Sequence, residues 1–104
     1  MGQSVEREIE HSVEEITDLC SWMTEGDIGR FRRMLYASFE VDAGSDESMG
    51  VVVEELYALW QRSVQVGDRR REWAFYHQYQ WACASECGEE YHWPPMPADI
   101  ACLP

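Results

Sequence analysis

Apolar residues spaced by three and four recur in three consecutive stretches of this chain, and that spacing restricts it to packed helices more firmly than any other feature. From Ser4 to Glu25 the series is Val5, Ile9, Val13, Ile16, Leu19, Cys20 and Met23. A helix turns about 100° per residue, so these side chains share an arc of about 120°, with Glu6, Glu10, Glu14, Asp18 and Glu25 opposite. Trp22 falls outside the stripe, among the acids. A neighbouring loop covering it is the first expectation, and a contact residue for a partner is the second.

Gly26 offers the left-handed backbone that ends helices, and Asp27 is a capping residue, so this pair is expected to close the first helix and open the second. The second helix, about Ile28 to Glu40, aligns Ile28, Phe31, Met34, Leu35, Ser38 and Phe39 and carries Arg30, Arg32 and Arg33 on its flank. The stretch VDAGSDES is loop chemistry, with Ser45 or Ser48 expected at the next N-cap. The third helix, about Glu47 to Val66, places Met49, Val52, Val53, Leu56, Leu59, Trp60, Ser63 and Val64 on one side. Its Val-Val-Val opening suits a strand, but helical spacing holds for four turns, longer than an ordinary strand.

Gly67-Asp68 repeats the stop-and-cap pattern, and a fourth helix follows from about Arg69 to Cys87, with Gly88 beyond its end. Its aromatic residues, from Trp73 to Trp81, point in several directions, as in a helix that is central or bridges two surfaces. Residues 89–104 contain four prolines and cannot continue a helix, so they are expected to run extended over the domain, docked by Trp93, Met96, Ile100 and Leu103. The expected fold is all-α: a bundle of about four helices in a domain of residues 1–88, with a proline-rich tail, 89–104.

Charge narrows function. The net charge is −12, from 20 acidic and 8 basic residues, and lysine and asparagine are absent. A chain this negative repels nucleic acid and anionic lipid, whereas a basic protein surface attracts it. No stretch is apolar for long enough to span a bilayer, and the acidic N-terminus does not resemble a secretory leader, so a cytoplasmic protein is expected. The absence of lysine and asparagine is what a GC-rich coding sequence produces, consistent with a bacterial or phage source.

No nucleophile–base pair or phosphate loop occurs, and Glu14-Glu15 and Glu54-Glu55 read as solvated helix faces instead of a di-metal site, so the expectation is a non-enzyme without cofactor. His11 reads as a solvated surface residue and His77 as a packed one. Cys83, Cys87, His92 and Cys102 lack the C-x-x-C knuckle spacing, so Cys20, Cys83 and Cys87 read as small buried hydrophobes. A zinc or redox-linked regulator using those four residues is the alternative. Arg69, Arg70 and Arg71 crowd a helix N-terminus, where the dipole disfavours cations, and pairing with carboxylates of the first helix or of residues 40–55 is the expected compensation.

The function these residues suggest is a binding module that presents carboxylates to a basic protein, including one that handles nucleic acid. Glu6, Glu10, Glu14, Asp18 and Trp22 are the candidate partner-binding residues, followed by Asp42, Asp46 and Glu47. Carboxylates spaced along a helix imitate a row of phosphates, the device of an inhibitor that mimics nucleic acid. Phage antidefence and immunity proteins are analogues in size and charge. An obligate helical subunit, in a homodimer or with another chain, is a further alternative, resting on the aromatic fourth helix and the tail.

Overall fold

The computed structural model describes residues 2–45 and 47–102, with side chains from Val5 onward. Four long helices, α1 (Gly2–Leu19), α2 (Glu25–Asp42), α3 (Glu47–Val66) and α4 (Arg69–Glu86), precede one short turn, α5 (Ala98–Ala101). No strand occurs among the described residues.

The first boundary differs from the sequence expectation. Helix α1 stops at Leu19, and Gly26 lies inside α2 without a positive φ. Thr24 is the N-cap: its hydroxyl accepts from the Asp27 backbone N–H at 3.2 Å, while the Asp27 carboxylate accepts from the Thr24 backbone N–H at 3.0 Å. This reciprocal capping box puts Asp27 three residues inside the helix instead of at its mouth. Leu19, placed in the buried stripe by spacing, is exposed, because the chain leaves helical geometry there.

At the start of α3, Ser48 lies inside the helix and its hydroxyl donates to Glu40, so it is not the N-cap; the α3–α4 junction and the end of α4 follow the expected chemistry. Gly67 takes φ 77° after α3, and Asp68 caps α4 by accepting from the Arg71 backbone N–H. The α4 C-cap is Cys87, with Gly88 left-handed beyond it. Val51-Val52-Val53 is helical, with Val52 in the core. The tail is not extended throughout, since residues 98–101 close a helical turn whose Ile100 is buried. Leu103 lies outside the described residues.

Each long helix packs on its chain neighbour: α1 on α2, α2 on α3, α3 on α4. The contacts fix the directions. Glu40 meets Ser48 and Asp27 meets Arg62, Tyr57 meets Tyr79 and Trp60 meets Tyr76, and Glu10 meets Arg32 across the short connection 20–24, so consecutive helices are antiparallel. The edge-on Phe31–Phe75 contact joins the parallel helices α2 and α4. The molecule measures 38 × 30 × 20 Å along its principal axes, and the core lies where these helices meet. Ile9, Val13, Ile16 and Cys20 from α1 enter it with Phe31, Met34, Val52, Leu56, Leu59, Phe75 and Ala82.

Candidate interaction surface

The topology sorts charge by end. Because consecutive helices run antiparallel, the start of α1, the end of α2, the start of α3 and the end of α4 share one end of the bundle. That end carries Glu6, Glu8, Glu40, Asp42, Glu47, Glu86, Glu89 and Glu90, all exposed. Arg7 is the one arginine of the described residues at that end. The other seven arginines lie from the middle of the bundle to the opposite end, in the first half of α2, the last turns of α3 and the first turn of α4.

Six of those seven side chains meet carboxylates or carbonyls close by. Arg32 grips Glu10 through two hydrogen bonds, at 2.8 and 3.2 Å. Arg62 donates to Asp27 at 3.3 Å, and Arg69 to Asp99 at 3.1 Å. Arg30 and Arg33 lie 3.7 and 3.5 Å from the buried carboxylate of Glu55. Arg70 donates to the Ala101 carbonyl. Arg69 and Arg70 thus find partners in the tail, not in α1 or residues 40–55 as expected, because the tail runs back along α4 to its first turn.

The candidate residues therefore separate. Glu6, Asp42 and Glu47 share the acidic end, whereas Glu14 and Asp18 are exposed farther along α1 and Glu10 is engaged by Arg32. Asp46 lies outside the described residues. Trp22 is half-buried at the other end, where its Nε1 donates to Asp68 Oδ2 at 2.8 Å. It thus fastens the α1–α2 connection to the N-cap of α4. Trp22→Phe, which keeps the ring's bulk and loses the donor, is expected to lower stability by about 1–2 kcal/mol in urea unfolding.

An aromatic band, missed as a unit by sequence reasoning, covers α3, α4 and the tail. Trp60 stacks on Tyr79 at 5.8 Å and tilts against Tyr76 at 5.0 Å. His77 contacts Trp73 at 4.6 Å and shares a hydrogen bond with the Tyr91 hydroxyl. Burial holds the His77 imidazole below its ordinary pKa. Trp93 packs against Trp73, so the tail is seated on α4 by its own rings. Spacing within α4 showed the rings, but their partners come from α3 and the tail, which a single helical wheel cannot show.

Cys83, Cys87, His92 and Cys102 are not gathered into a ligand set: no three His, Cys, Asp or Glu side chains among the described residues could hold a metal ion. All four cysteines are free thiols. Cys20 is buried, and burial pushes its pKa up to about 11, while Cys87 and Cys102 are exposed. A thiol reagent applied to the native protein at neutral pH should therefore modify Cys87 and Cys102 first and reach Cys20 only on unfolding.

No protein-family model matches the chain, and neither a curated protein nor a solved structure shows significant similarity to it. Among the described residues no helix is long and apolar enough to cross a membrane.

Proposed function

We propose that this protein is a small acidic binding module that presents the carboxylate-rich end of its bundle to a basic surface on another protein. The lopsided charge carries the reading. Eight described carboxylates face solvent at one end against a single arginine, while six of the other seven arginines have acidic or carbonyl partners elsewhere. Uncompensated charge of one sign steers a partner of the opposite sign and repels nucleic acid itself. A protein whose groove receives nucleic-acid phosphates is the partner class this favours, and an inhibitor is the corresponding role.

The test begins with a partner captured from the native host, whose affinity is then measured across salt concentrations. Affinity should fall steeply as salt rises. Reversing Glu6, Asp42 and Glu47 to arginine should weaken binding by about tenfold or more, whereas reversing Glu14 and Asp18 should have a smaller effect. Affinity indifferent to both salt and reversal would remove the proposal.

An obligate subunit is the second reading, favoured by Trp81 and Trp93, which remain 42% and 44% exposed. Sedimentation separates the two, because a stable, well-behaved monomer does not need an obligate interface.

A further inference from the structure

An apolar groove lies between α2 and α4. Phe31, Met34, Leu35 and Ser38 form one wall, Val52 and Leu56 of α3 form the floor, and Gln78, Trp81 and Trp93 form the other wall. Its volume of about 330 Å³ lies within the range of ligand pockets. No charged residue lines it, although core side chains reach its surface. The α2 row Leu35–Ser38 continues to exposed Asp42 one turn on, and α4 continues past Trp81 to exposed Glu86 and the turn holding Glu89 and Glu90. Since α2 and α4 are parallel, those carboxylates lie at the same end of the groove.

Three occupants are conceivable on these facts, and two fit poorly. A second copy of the chain would bring another charge of −12 against the same acids. The chain's own tail is already seated along α4, with Asp99 on Arg69 and the Ala101 carbonyl on Arg70. A segment with an apolar stripe and basic residues fits both the groove and its rim. As a helix it would satisfy its own backbone hydrogen bonds and offer anchors at three- and four-residue spacing, the geometry a groove between parallel helices receives.

We infer that the α2–α4 groove seats an amphipathic, basic helix of a partner protein. Its apolar side chains enter beside Leu35, Leu56 and Trp81, and its arginines or lysines reach Asp42 and the acids after α4. The inference rests on the acidic-end reading and adds the seat and form of the partner segment. Trp81 and Trp93 at the rim are the residue type that most often dominates binding energy at interfaces.

The probe is a synthetic peptide of about four helical turns with leucines at positions i, i+3, i+4 and i+7 and arginines elsewhere. A peptide of identical composition with the order scrambled accompanies it. Nitrogen–proton correlation spectra of the full chain should show saturable shifts at Leu35, Ser38, Gln78 and Trp81 with the ordered peptide. The scrambled peptide should bind more weakly and shift mainly residues near Asp42 and Glu47. Ser38→Trp, which fills the groove from α2, should weaken the ordered peptide by about tenfold without changing the scrambled one. Gln78→Trp fills it from α4 and serves if the first variant fails to fold.

Shifts confined to the acidic end, with both peptides binding alike and groove-filling variants without effect, would overturn the groove and leave the acidic-end reading standing. Binding of neither peptide at low salt would overturn both.

Discussion

Replacing Leu59 by alanine is expected to destabilise the protein by about 3 kcal/mol, the range found when a fully buried leucine leaves an unfilled cavity. Leu59 is 0% exposed and belongs to the core cluster, on the helix that packs on both α2 and α4. For a domain of this size such a loss lowers the melting temperature by roughly 12–24 °C. Leu19→Ala supplies the contrast: this leucine is 67% exposed, and the expected change lies within about 0.5 kcal/mol. Thermal and urea unfolding of both variants check the pair. Near-equal losses would mean that the end of α1 is more deeply packed than the structure shows.

The second large effect is expected at Asp27. Its carboxylate accepts from the Thr24 backbone N–H and hydroxyl and from Arg62, so one side chain closes the capping box of α2 and ties it to the last turns of α3. Asp27→Ala removes all three bonds and leaves donors around a buried position, a loss of about 2–3 kcal/mol. Burial alone would raise the Asp27 pKa, but the Thr24 and Arg62 hydrogen bonds outweigh it and hold the carboxyl below its usual value.

A group whose folded pKa is depressed contributes fully above its unfolded pKa, here about 3.9, and loses that contribution as pH falls through the folded value. The stability gap between the wild type and Asp27→Ala should therefore be flat from neutral pH down to about pH 5 and narrow below about pH 4. Urea titrations across that interval measure it. A gap independent of pH would show that charge on Asp27 contributes nothing.

Much of the fold was readable from spacing alone, because three- and four-residue repeats and the Gly67-Asp68 and Gly88 stops are local features. The first junction was not. Gly26-Asp27 looks like the later stop-and-cap pair, yet Thr24 and Asp27, three apart, form a capping box that begins a helix one residue before the glycine. The same local character explains Leu19: a stripe drawn to Glu25 assumes helix where the chain has already turned.

The candidate surface was legible only in part. That α1 and residues 40–55 are acidic is written in their composition, but which carboxylates share an end depends on helix direction, and which are cancelled depends on arginines remote in sequence. Glu10 lost its independence to Arg32, 22 residues away. Arg69 found Asp99, 30 residues on, because the tail folds back instead of leaving the domain. The groove needs three helices and Trp93 together, and no periodicity within one segment shows it.

The order in which the long helices pack, each against the next along the chain, bears on how quickly the native state is reached. Contacts such as Glu10–Arg32, Arg33–Glu55 and Trp60–Tyr76 close short loops, so little chain entropy is lost before each hairpin is rewarded. Such local topology belongs with the helical domains that fold in microseconds to milliseconds. A stopped-flow refolding trace should accordingly be complete within its dead time or shortly after it, with the Phe31–Phe75 contact between α2 and α4 among the few long-range closures left to make.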